Sequence, residues 1–345
     1  MEAAKNATVA KARAIYGNRL KAEQYRELVS KKSVAEVAEY LQKNTHYGSA
    51  LANINTMTVH RGLLETILRR YSFERYEKLC KFQQLRKESF YNYLIVLSEI
   101  REILSAIMYL NAKSSEEYIS ALPAYLLSRA SFDLIELAKT RSFADILRVI
   151  RNTPYYDVLA EVKADEAGKV DFTLCEVMLR SYYLKWLLEV ADKDFKGRAR
   201  SMLKQQIEMQ VDLINVINSY RLKTYFGASS EEIHRNMLPA KGRMPKRVQD
   251  ELWDTESGEE FLQLFSKTLY GRQLEGFGND EFELRITKLR YSVAKRTLMF
   301  SENAAVSLYS LIFLFEVELS NIINIIEGIR YNKSAAYLEA MLVYS

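Results

Sequence analysis

A chain of 345 residues with 49 basic and 44 acidic side chains, net +5, holds too little excess charge to mark a nucleic-acid binder. Only 12 Gly and 4 Pro beside 48% hydrophobic residues favour long helices over a turn-rich fold. The length suits two or three domains, and the widely separated Cys80 and Cys175 suit small packed hydrophobes in a reducing compartment.

The opening residues, Met1-Glu-Ala-Ala-Lys-Asn, lack the apolar core of a signal peptide. Residues 1–22, rich in Ala, Lys and Arg, predict a helix that frays at its start. A short segment, Gln24–Val29, leads into Ser33-Val-Ala-Glu36, where a serine with an acid three residues on spells a capping box, with Gly48 as the expected stop. This element recurs as Ser142-Phe-Ala-Asp145 and Ser257-Gly-Glu-Glu260. Apolar residues come at the fourth, fifth, seventh and eighth positions after each serine, one face of a helix, with Ala38 and Tyr40 the weakest matches. Thr45-His46-Tyr47, Thr153-Pro154-Tyr155 and Thr268-Leu269-Tyr270 close the copies, the first one residue late. A leucine stands five residues before each serine: Leu28, Leu137 and Leu252.

Long helical hairpins are expected at 54–86 with 88–110, 170–192 with 194–221, and 280–297 with 303–328. Their breaks fall at Gly168, at Lys193 to Gly197, and at Ser301 to Asn303. No strand pattern appears, and helices this long draw their stability from packing rather than propensity. The most apolar run, Ala304 to Phe315, is shorter than the roughly 20 residues of a membrane span and predicts a buried core helix. Two irregular stretches remain: a basic loop from Pro239 to Arg247, and the turn Gln273-Leu-Glu-Gly276-Phe-Gly278-Asn.

A second element also occurs three times: Glu99-Ile-Arg-Glu102-Ile-Leu, Asp212-Leu-Ile-Asn215-Val-Ile and Glu318-Leu-Ser-Asn321-Ile-Ile. Each is an acid, two residues, an amide or acid, then two adjacent aliphatics. Each leads to a short polar helix start: Ser115-Glu116-Glu117, Ser230-Glu231-Glu232 and Ser334-Ala335-Ala336. The acids are spaced by close to a third of the chain, so the sequence is a threefold internal repeat. Three similar helical domains are expected, at 1–122, 123–238 and 239–345, with segments exchangeable at the borders.

Catalytic signatures are absent: there is no GxxxxGK[ST], GxSxG, HExxH or CxxC. The expectation is a non-enzyme without catalytic residues, metal or cofactor. His46, His60 and His234 are isolated, and a position that takes Pro154 and Leu269 in the other copies does not make His46 a ligand or base. Glu99, Asp212 and Glu318, with Asn215 and Asn321, read as structural positions that bond each helix to a neighbour. A single active site is seldom built in triplicate, which sets aside the alternative of proton carriers or metal ligands. Arg221 and Arg330 either complement a helix C-terminus or face a partner. The basic loop reads as solvated, and the 23 tyrosines as packing residues with polar tips rather than base-stacking platforms.

The capped Ser-x-x-acid helices ending in Thr-x-Tyr, and the acid-x-x-Asn-Ile-Ile helices leading to short Ser-Glu-Glu segments, resemble the C subunit of the prokaryotic V/A-type rotary ATPases, the counterpart of the d subunit in the eukaryotic vacuolar enzyme. The resemblance runs from about Arg13 to Leu342, strongest from Glu318 to Leu342 and next from Asp212 to Leu238; the first copy departs by having Glu102 where the others have Asn215 and Asn321. It implies an all-α funnel of three similar domains around a pseudo-threefold axis. It further implies a single-copy, non-catalytic central-stalk socket, peripheral on the cytoplasmic side of the membrane. Such a socket couples central-shaft subunits of the D and F type to the proteolipid rotor ring, for ATP-linked proton or sodium transport. No nucleic acid is implied. The other reading is a helical-repeat scaffold that binds a protein in a concave surface. Solenoid helix pairs repeat every ~34 to 47 residues, far short of the period here.

Overall fold

The computed structural model describes residues 2–82, 89–114, 118–119, 122–275 and 281–344. Among them there are only helices, turns and loops, with no strand, so the chain is all-α. The expected turn at Gly276 to Gly278 and the helix start Ser115-Glu116-Glu117 lie outside the described residues.

In chain order the helices are α1 (Glu2–Gly17), α2 (Ala22–Val29), α3 (Val34–Asn44), α4 (Gly48–Leu51) and α5 (Arg61–Phe82). After a single 3-10 turn at Ser89–Asn92 come α6 (Tyr93–Asn111), α7 (Leu134–Ala138), α8 (Phe143–Val149), α9 (Pro154–Leu159), α10 (Phe172–Asp194) and α11 (Gly197–Phe226). They are followed by α12 (Ser230–Asn236), α13 (Lys246–Trp253), α14 (Gly258–Ser266) and α15 (Leu269–Leu274). The last three are α16 (Phe282–Phe300), α17 (Ala304–Arg330) and α18 (Ala335–Ala340). They divide into two compact units, one of residues 1–87 with 273–345 and one of residues 88–272.

The first unit is built on α17. Its length and composition suffice for a membrane span, yet 78% of its most apolar window is buried. A helix apolar on every side is stable in water only when wrapped by others. Here α16 runs back along it as the expected hairpin, with Asn303 capping the start by accepting from the Ala305 and Val306 amides. α1, α2, α3, α5 and α18 also lie against it. Leu28, Leu41, Leu64, Leu68, Ile322, Ile325 and Ile326 form one continuous core there. The second unit centres on α10, which packs against α6, α9 and α11.

Of the hairpin foreseen from 54–86 and 88–110, α5 beds on α17 in the first unit and α6 on α10 in the second. One expectation is corrected. Gly48 does not stop the preceding helix. α3 ends at Asn44, where Thr45 turns extended and caps the Leu41 carbonyl with its hydroxyl, and Gly48 begins α4.

Candidate functional site

The repeated serines start their helices in the same way. Ser33, Ser142 and Ser257 each accept the backbone N–H of the acid three residues on. The acids do not complete the foreseen capping box. Glu36, Asp145 and Glu260 reach one residue further, accepting the amides of Lys32, Arg141 and Glu256 just ahead of the caps. Of the four apolar positions after each serine, the fourth and eighth are buried in all copies: Val37 and Leu41, Ile146 and Ile150, Phe261 and Phe265. That anchored face fixes where the helix ends, and hence where Thr-x-Tyr points.

Each of those tyrosines meets one of the repeated acids. Tyr155 donates to Glu99 Oε2 at 2.5 Å, Tyr270 to Asp212 Oδ2 at 2.8 Å, and Tyr47 to Glu318 Oε1 at 2.9 Å. Each acid also accepts a backbone N–H from the chain as it approaches the preceding short helix. Ser131 donates to Glu99 ahead of α7, Arg243 and Met244 to Asp212 ahead of α13, and Leu20 to Glu318 ahead of α2. The three carboxylates are 1 to 5% exposed. A buried charge is tolerated only with such donors around it. The pairing is staggered: the acid of the first copy takes the tyrosine of the second, the second takes that of the third, and the third returns to the first.

Three positions on comes a second junction. Asn215 donates to the Leu238 carbonyl and accepts the Leu238 amide, and Asn321 does the same with Val343. Both amides thereby hold the stretch of chain just past the trailing helix, α12 or α18, against α11 or α17. Glu102 cannot make this two-way bond, because a carboxylate has no N–H. In the first copy Tyr118 instead donates to the carboxylate and carbonyl of Glu102.

The surroundings of the acids differ. At Asp212, burial outweighs the Tyr270, Met244 and Arg243 donors and pushes the carboxyl above its ordinary value. At Glu318, burial pushes up, but the hydrogen bond and electrostatic attraction of His46, with hydrogen bonds from Leu20 and Tyr47, overcome it and hold the carboxyl below the usual range. The tyrosines Tyr47, Tyr155 and Tyr270 are themselves pushed well up by burial and by the facing carboxylate, so they stay protonated donors.

Asp212 also organises the basic loop. Besides Arg243 and Met244, Gln249 donates to it and to the Met244 carbonyl. Position 242 requires glycine, since a Cβ there would run into the Asp212 carboxylate. The Lys241, Arg243, Lys246 and Arg247 side chains stay exposed while the loop's backbone is bound.

Arg330 stands in the last turn of α17, half exposed, 3.9 Å from Glu327. Arg221 is not at a helix end: α11 continues to Phe226 and stops at Gly227, whose φ of 59° is left-handed, and the cation in its last turn is Lys223. Exposed aromatics sit close to both arginines, Tyr225 and Phe226 near one and Tyr331 beside the other, at 66%, 75% and 69%. Sequence reasoning missed His46 and Arg75, which support Glu318, and every backbone donor. The tyrosines were visible through Thr-x-Tyr, but nothing in a sequence marks an amide that any residue carries. Among the described residues no cluster of His, Cys, Asp and Glu is arranged to hold a metal.

A curated relative, the C subunit of the A-type ATP synthase of Desulfurococcus sp. (strain SY), is 24% identical over 232 residues, covering 67% of this chain. The match spans 60% of that relative's own length. The family described as ATP synthase (C/AC39) subunit matches residues 8–341. With nearly its whole length matched, the chain belongs to the ATP synthase (C/AC39) subunit family, the kind of subunit its A-type ATP synthase relative is named for.

Proposed function

We propose that this protein is the socket between the rotating central shaft and the proteolipid ring of such a complex, and performs no chemistry itself. The observation that carries this reading is the return of the third acid to the first tyrosine, Glu318 to Tyr47. The first and last thirds of the chain thereby meet in one unit, and the family resemblance adds three helical modules closed around a hollow, with borders near 1–122, 123–238 and 239–345 exchanged between neighbours. A closed body of long helices resists unwinding under torque, offers its centre to shaft subunits of the D and F type, and offers its rim to a ring.

On this reading one copy sits peripherally on the cytoplasmic side of the membrane and serves ATP-linked proton or sodium transport. Glu99, Asp212, Glu318, Asn215 and Asn321 keep the body closed. Arg221 and Arg330, each with exposed aromatics near it in the chain, face partners. A stable seat on each neighbour needs roughly 1,000 Å² or more of buried surface. The test is affinity purification of the tagged chain from detergent-extracted membranes. Shaft and proteolipid subunits are expected to accompany it. Recovery from the soluble fraction alone, with no ATPase subunit attached, would overturn the proposal.

A further inference from the structure

The Glu318 junction contains a group that the other two lack. His46 sits where Pro154 and Leu269 stand in the equivalent turns. Its Nε2 lies 2.8 Å from Glu318 Oε1, and its Nδ1 lies 3.2 Å from Arg75 Nη1. A guanidinium has donors only, so Nδ1 must accept, the ring proton sits on Nε2, and the imidazole is neutral. We propose that His46 makes this junction a proton-sensitive catch: a second proton, placed on Nδ1, confronts Arg75 and frees the turn Thr45 to Tyr47 from α17.

Arg75 has little room to retreat. Its guanidinium lies over the rings of Tyr71 and Phe315, and its Nη2 reaches the Ile15 carbonyl. The imidazole is confined too, stacked 5.7 Å from Tyr71 and tilted 4.1 Å from Tyr47. Every element packed around the site contributes a polar group. Glu318 comes from α17, Arg75 and Tyr71 from α5, Tyr47 from the turn itself, and Arg19 and Lys21 from the loop between α1 and α2. Tyr16, Tyr25 and Tyr291 face it from α1, α2 and α16, neutral because burial pushes their hydroxyls up. Against the nearby arginines stands the Glu318 carboxylate. Arg75, Arg19 and Lys21 already outnumber that carboxylate, so an imidazolium adds a further positive charge and gives up the bond from Arg75 while keeping the one to Glu318.

Hydrogen exchange of the full chain, corrected for intrinsic rates, is compared at about pH 7.5 and about pH 5.5. Glu318, held below the ordinary carboxylate range, stays ionised at both. Amides of α2, α3 and α4 are expected to lose protection by about tenfold at the lower pH, the equivalent of one hydrogen bond. Amides of α6 and α11, which carry the other two acids, keep theirs. His46→Leu, which copies Leu269, flattens the response. Arg75→Met reverses it, because an imidazolium then faces Glu318 without opposition. Equal protection at both pH values in the native chain overturns the proposal, as does an acid-induced loss that persists in Arg75→Met. The second variant decides the matter even where His46→Leu fails to fold.

Discussion

Asp212 and Glu318 occupy the same place in the repeat and accept the same kinds of donor, yet burial prevails at one and donors at the other. The linkage signs are therefore opposite. Glu318 stabilises the fold above its unfolded value of 4.5, and that contribution fades as the pH falls through its lower folded value. Asp212 favours folding in its protonated form, fully below 3.8, and the contribution fades as the pH rises through its raised value. At neutral pH, Glu318→Gln is accordingly expected to cost more stability than Asp212→Asn, read as opening free energies of the two units by hydrogen exchange in urea. Removing a donor while leaving the buried carboxylate costs about 1–3 kcal/mol, so Tyr47→Phe, Tyr155→Phe and Tyr270→Phe should each destabilise their own unit by that amount in the same measurement. The acids and tyrosines stood out in the sequence because side-chain identity recurs. The contrast between Asp212 and Glu318 did not, because it arises from the segments folded over them, His46 and Arg75 in one case and the loop at Gly242 in the other.

Helix starts were the most legible elements, since a cap is decided within four residues. Ser142 and Ser257 cap as their spacing indicated, and Ser142→Ala or Ser257→Ala should lower stability by about 1 kcal/mol in denaturant titrations. The turns that close these helices were harder to foresee. Gly271, directly after Tyr270, brings its backbone against the Phe265 carbonyl and Ser266, with no room for a Cβ. Gly271→Ala forces α14 and α15 apart and is expected to cost about 1–3 kcal/mol, the range of an overpacked contact, together with a lower melting temperature. Helix partners were least legible. The apolar residues of α5 and α6 say that each must be covered but not by which helix.

For the whole molecule, the all-α class and the three copies could be read directly, because composition and repetition survive without coordinates. The staggered pairing could not. Each third of the sequence contains both an acid and a tyrosine, so a self-contained module was equally consistent with the residues. Only the 2.5 to 2.9 Å bonds to Tyr155, Tyr270 and Tyr47 reveal that each acid holds the next copy. If Phe226 and Tyr331, each exposed on its own unit, face partners, Phe226→Ser with Tyr331→Ser should weaken retention of ring and shaft subunits in pull-downs while leaving the melting temperature unchanged. Both side chains are mostly exposed, so little folding free energy rests on them.

The bond from Tyr47 to Glu318 spans 271 residues. During synthesis at ~5–20 residues per second, roughly 15 to 55 seconds pass between the emergence of one partner and the other. Throughout that interval the nascent amino-terminal helices have no carboxylate to receive them and their apolar faces no α17 to cover, so they are the natural clients for a ribosome-associated chaperone. Tyr47 is made long before the carboxylate that locks it in place.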